Sequence, residues 1–176
     1  MIDIRPAQLR DNPALQLLLR PHIERGDILA SPIDTKAFIV ATRDDELVGA
    51  VAIRPLSDAI AELGSLVSEQ PGVGLGARLV KAALKHATHS GFELIVALTA
   101  IPTFFERLDF TVSAHAPWIE ARRALSWPHP HPIGDTDESL IAAQTKSSSC
   151  VSCARLASCR QVQVLHRLPQ RRRCML

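Results

Sequence analysis

Tyrosine is missing from this 176-residue chain, and only 5 Phe and 2 Trp make up its aromatic content. Any core must therefore be aliphatic, and the 47% of hydrophobic residues is enough to build one. Cysteine is absent from the first 149 residues; Cys150, Cys153, Cys159 and Cys174 all fall in the last 27. A disulfide framework would be spread through a small secreted fold, so this clustering points to a local metal or thiol site. No apolar run approaches the roughly 18 residues that span a bilayer. The start, Met1-Ile2-Asp3-Ile4-Arg5, lacks the basic-then-apolar pattern of a secretory signal. The expectation is a soluble cytoplasmic protein with no membrane partner. Charge of one sign is lacking too: the net charge of +2 is too small to argue for a nucleic-acid partner.

What is present reads as an alternation of strands and helices. Ile2 to Arg5 alternates as a short strand does. Asp11 or Asn12 can cap a helix with Pro13 in its first turn, and Leu15, Leu18 and Leu19 give it an apolar face. Arg20-Pro21 is expected to kink or end it. A hairpin follows, with strands Ala37–Ala41 and Leu47–Ile53 around the turn Asp44-Asp45. A further strand runs from about Ala61 to Ser68. A helix from about Leu75 to Ser90 buries Leu79, Val80, Ala83, Leu84 and Ala87 and ends at Gly91. Leu94–Leu98 is apolar throughout, as a buried central strand is. Thr103–Leu108 is a short helix and Phe110–Val112 a strand. The order β-α-β-β-β-α-β-α-β predicts an α/β fold with a sheet of mixed direction. Beyond this the composition changes. Trp127-Pro128-His129-Pro130-His131-Pro132 excludes helix, and Val162–Leu165 can form one more strand. The expected organisation is a domain over 1–116 and an irregular, Cys-containing extension over 117–176.

The loop Gly72-Val73-Gly74-Leu75-Gly76 lies between a strand and a helix. Glycines allow close backbone approach and positive φ, and a helix N-terminus presents N–H groups and a dipole to an anion. A ligand-free tight turn is the plain alternative. A Walker loop would need Gly-Lys-Ser/Thr, which is absent. A dinucleotide fingerprint would follow the first strand of a βαβ unit, whereas this loop follows a hairpin meander.

Four segments in order resemble the GNAT (GCN5-related N-acetyltransferase) superfamily. They are Ile2-Asp3-Ile4-Arg5-Pro6-Ala7, Glu46-Leu47-Val48-Gly49, Gly74-Leu75-Gly76-Ala77-Arg78-Leu79-Val80 and Phe104-Phe105-Glu106-Arg107-Leu108-Asp109-Phe110. A narrower resemblance, to single-domain amino-acid acetyltransferases of the N-acetylglutamate synthase type, is carried by Leu19–Gly26, Ala97-Leu98-Thr99, Phe104-Phe105-Glu106-Arg107 and the spacing of Cys150, Cys153 and Cys159. The superfamily resemblance implies a mostly antiparallel sheet flanked by helices, acetyl-CoA as cosubstrate, and transfer of its acetyl group to a primary amine. The narrower one points to the α-amine of an amino acid such as glutamate. The superfamily resemblance also implies cofactor contacts from Leu66, Val67, Gly72, Val73, Gly74, Leu75, Gly76 and Ala77, and Glu62 as base. Other small amines, a protein N-terminus, and a non-catalytic acetyl-CoA-binding module stay open as alternatives. So does a second copy of the chain as partner in a homodimer.

The chain also departs from the family pattern. Pro71 stands where Arg or Gln is usual, Asp109 replaces a Gly, and Phe105 stands where many relatives place a proton-donating Tyr. Lys36 and Arg54 are cations that could bind a substrate carboxylate. Cys150, Cys153 and Cys159 supply three ligands for a structural zinc, with His166 or Cys174 as a fourth; reduced, metal-free thiols are the competing reading.

Overall fold

The computed structural model describes residues 1–25, 27–28, 33–70, 72–112 and 162–169. Among these, seven strands form one sheet: β1 (Ile2–Pro6), β2 (Phe38–Arg43), β3 (Glu46–Pro55), β4 (Ile60–Ser68), β5 (Leu94–Thr99), β6 (Thr111–Val112) and β7 (Val162–Arg167). Three helices accompany them: α1 (Asn12–Glu24), α2 (Leu75–His89) and α3 (Pro102–Glu106). The sheet order is β1-β2-β3-β4-β5-β7-β6. Every neighbouring pair is antiparallel except β4 and β5. The mixed, mostly antiparallel α/β architecture expected from the sequence is the one observed.

Side chains alternate across the sheet, and each face has its own core. On one face Ile39, Val51, Ile53, Leu63 and Ile95 pack with Leu79, Val80 and Ala83 of α2. On the other, Phe38, Val40, Ala50 and Ala52 pack with Leu15, Leu18 and Leu19 of α1. The β2–β3 hairpin turns at Asp44 and Asp45, with φ of 50° and 67°. Two positive φ values match the right-handed twist of the strands they join, and Asp tolerates them better than most residues. α2 ends as Gly91 permits: φ is 89°, and the N–H groups of Gly91 and Phe92 donate to the carbonyls of Thr88 and Ala87. This closes the last turn in a Schellman motif.

One sequence expectation, that the first helix ends at Arg20-Pro21, is corrected. The first helix runs through Pro21 to Glu24. Pro21 removes the N–H bond to the Leu17 carbonyl, but it stands in the last turn, where few bonds remain to be broken. The strand expected at Val162–Leu165 forms and runs on to Arg167. It pairs with β5 from Leu94↔Arg167 to Thr99↔Val162 on one side and with β6 on the other. His166 reinforces the junction: its Nδ1 donates to the Asp109 carbonyl at 3.0 Å, and its ring lies 4.9 Å from that of Phe110. Asp109 adopts φ 64°, the left-handed geometry its position requires.

The start of α1 is tied to β1 by charge. Arg5 donates twice to Asp11, at 2.7 and 3.0 Å, and the Gln8 N–H donates to the same carboxylate at 2.7 Å. The Arg5 bonds hold the Asp11 carboxyl below the usual carboxylate range, against the opposing cost of burial. A depressed folded-state value means the stabilisation is present above the unfolded pKa of about 3.9 and is lost as pH falls through the folded value. Asp11→Asn is therefore expected to lower stability at pH 7 by about 1–3 kcal/mol. In thermal melts its gap to the wild type should close below about pH 4; a gap unchanged by acid would reject this account.

α2 lies close against β3 at Gly49. A Cβ there would stand 2.9 Å from Leu79 Cδ1 and 3.0 Å from the Val67 carbonyl oxygen. Gly49→Ala should therefore cost about 1–3 kcal/mol by overpacking, read as a lower denaturation midpoint at unchanged slope.

Candidate active site

The one parallel pairing frames the site. β4 and β5 are in register only at Ile60↔Leu94, Ala61↔Ile95 and Glu62↔Val96. Past that rung β4 is bonded to β3 and β5 to β7, so the sheet splits open between them. Leu63–Ser68 thus turns one ladder edge into the split. The β4 backbone also bends there. Ala50 faces Val67 and Ala52 faces Gly64, so Val51 opposes both Ser65 and Leu66, and Ser65 has φ 49°. This is a β-bulge, a device that re-aims a strand and leaves backbone groups outside the ladder. Sequence reasoning overlooked it; Gly64 in mid-strand was the available signal.

Beyond β4 the chain is anchored before it turns. The Glu69 N–H donates to the Val48 carbonyl at 2.9 Å, the Gln70 N–H to Ser68 Oγ at 3.3 Å, and Arg43 to Gln70 Oε1. Gly72 and Gly74 then take φ of 84° and 74°, and Gly74 is the N-cap of α2. No side chain caps this helix. The N–H groups of Leu75, Gly76 and Ala77 therefore have no intrahelical acceptor. Buried Leu75 pins the first turn to the core, while Gly72, Val73 and Gly74 are exposed. Among the described residues, nothing lies within 4 Å of a Cβ on Gly72 or Gly74. A helix start with N–H donors of this kind and the positive end of its dipole suits an anion. Gly76 has a second constraint, also missed by the sequence: Phe104 Cζ of α3 lies 3.5 Å from its would-be Cβ, forming one wall beside the loop.

Glu62 sits on the last rung shared by β4 and β5 and is 8% exposed. It is no solvated strand end. Across β3 it faces Arg54 in register. Gly64 lies between their ends: its would-be Cβ is 3.1 Å from Arg54 Nη1 and 3.9 Å from Glu62 Oε1. Arg54 Nη2 also reaches Ser65 Oγ at 3.2 Å, and its guanidinium lies 5.6 Å from the Phe38 ring centroid. The site therefore holds a buried carboxylate and a positioned guanidinium at the vertex of the split, with the uncapped helix at its open end.

Residues 7–110 match the model of the acetyltransferase (GNAT) family. The chain belongs to the GNAT acetyltransferase family. Its fold is shared by solved structures of low sequence identity. N-acetylglutamate synthase from Neisseria gonorrhoeae, complexed with coenzyme A and N-acetyl-glutamate, is 21% identical with a TM-score of 0.67; the alignment covers 97% of this chain and 36% of that one. A Mycobacterium tuberculosis protein in complex with CoA and NLQ is 19% identical with a TM-score of 0.68, covering 95% and 99%. A GNAT-family acetyltransferase from Staphylococcus aureus is 10% identical with a TM-score of 0.62, covering 96% and 100%. The chain thus spans about a third of the Neisseria synthase. No curated protein matches it in sequence.

Of the residues singled out beforehand, Glu62, Leu66 and Val67 lie on β4 along the split, with the Val67 side chain buried in the α1-side core, and Gly72–Ala77 lie at the start of α2. Others lie elsewhere. Arg78 donates to the Ile2 carbonyl at 3.4 Å, tying α2 to β1. Lys36 and Glu69 are exposed, and Lys81 and Lys85 lie on the outer face of α2. Phe105 is 4% exposed, edge-on to Phe104 and Phe110 in the α2-side core. Cys150, Cys153, Cys159 and Pro71 lie outside the described residues. Among the described residues no group of three or more His, Cys, Asp or Glu could hold a metal, and no helix is long and apolar enough to cross a membrane.

Proposed function

We propose that the chain transfers the acetyl group of acetyl-CoA to a primary amine, the α-amine of an amino acid such as glutamate. The observation that carries this reading is the split of β4 from β5, with Glu62 at its vertex and the uncapped N-terminus of α2 at its mouth. A pantetheine arm laid along Leu66 and Val67 would extend the β4 ladder. Its diphosphate would meet the N–H groups of residues 72–77. The fold relatives solved with coenzyme A support the donor, and the one solved with N-acetyl-glutamate supports an amino-acid acceptor.

The reaction needs a neutral amine. Its nitrogen attacks the thioester carbonyl, the new C–N bond forms, and the C–S bond breaks. Glu62 takes the amine proton, directly or through one water. The leaving thiolate is protonated by water, because Phe105 carries no hydroxyl and faces the core. The test is free-thiol release from acetyl-CoA over a panel of amines including glutamate, beside calorimetry with acetyl-CoA. Thiol release that depends on an amine is expected. Absence of acetyl-CoA binding up to high micromolar concentration would overturn the proposal.

A further inference from the structure

Arg54 is the charged group at this site that the transfer chemistry leaves without a task. We propose that Arg54 selects acceptor amines that carry a carboxylate and disfavours cationic ones. The inference rests on the acetyl-transfer reading above. It starts from the register of the β3–β4 ladder. Arg54 opposes Glu62, so their side chains leave the same face of the sheet, at the rung where β4 parts from β5. The two reach toward one point above Gly64, with Nη1 at 3.1 Å and Oε1 at 3.9 Å from where its Cβ would be. In an α-amino acid one carbon separates the amine from the carboxylate. A single such molecule can therefore present its nitrogen to Glu62 and its carboxylate to Arg54.

The guanidinium is placed, not merely present. Its carbon lies over the Phe38 ring, 5.6 Å from the centroid, and Ser65 on the bulge accepts from Nη2 at 3.2 Å. Phe38 is itself 1% exposed and locked into the α1-side core. A planar guanidinium presents a rigid fork of donors that matches a carboxylate, and it repels a second cation at short range. Gly64 is the counterpart in the strand below, because a larger residue there would drive the guanidinium out. Lys36, the other cation considered as a carboxylate ligand, is exposed on the turn before β2 and holds no comparable position.

The test compares an α-amino acid with its α-carboxamide as acceptor, reading thiol release by the full chain. Wild type should favour the free acid by tenfold or more. Arg54→Gln should raise KM for the acid by about ten- to a hundredfold and abolish the preference. Arg54→Lys, which keeps the charge but loses the fork, should recover only part of it. Calorimetry should give each variant the wild-type affinity for acetyl-CoA, which shows that the cleft is intact. Equal use of acid and amide by wild type, or a preference that survives Arg54→Gln, would overturn the role of Arg54. Failure of wild type to bind acetyl-CoA would instead overturn the transfer reading itself.

Discussion

Glu62→Gln is expected to lower kcat/KM by about 10²–10⁴-fold, the contribution of a well-placed general base. Gln keeps the size of the side chain and its capacity to accept a hydrogen bond. It cannot take a proton. Glu62 is held by β3 on one side and β5 on the other, and only 8% of it is exposed. The substitution should therefore leave the cleft's shape and acetyl-CoA affinity unchanged, and the loss should fall on the chemical step. Steady-state kinetics with a saturating acetyl donor would show it. A fall of less than tenfold would remove Glu62 from the role of base.

Gly74→Val should weaken acetyl-CoA binding by about ten- to a hundredfold, measured by calorimetry. Two effects combine. At φ 74° a β-branched residue is strained, so the loop would shift and misdirect the N–H groups of the first turn of α2. One lost hydrogen bond to a charged phosphate is worth about 1.5–3 kcal/mol, which is that range of affinity. The new side chain would also occupy space where no described residue lies within 4 Å of the Cβ position. Because the position is exposed and away from the core, thermal stability should fall far less than affinity. Equal losses in both would mean that Gly74 serves the fold and not a ligand.

These two residues were legible in the sequence for different reasons. Gly74 stands out because positive φ at a helix start is a local demand that few residues meet. Glu62 was placed only through its resemblance to a family pattern; its burial depends on β3 and β5, which periodicity cannot position. The hairpin, α2 with its Gly91 stop, and the apolar β5 were read well, since turn chemistry and hydrophobic period fix such elements locally. The bulge at Ser65 was not, because two residues opposing Val51 is a property of a pair of strands. Arg54 was flagged as a cation near a hairpin end, but its partners Phe38, Ser65 and Gly64 come from two other strands. The first helix outlasted Pro21 because a proline near a helix end forfeits little.

The placement of β7 has a consequence for how the protein is made. β5 is fully buried at Ile95, yet its second neighbour arrives after about 50 residues of chain between Val112 and Val162. At synthesis rates of about 5–20 residues per second, the apolar edge of β5 waits several seconds on the ribosome for its partner. Throughout that time it is an open template for any other nascent strand. Fragments that stop before Val162 should therefore precipitate although they keep nearly all of the cleft, and yield of soluble protein should depend on the last strand more than on any residue of the site.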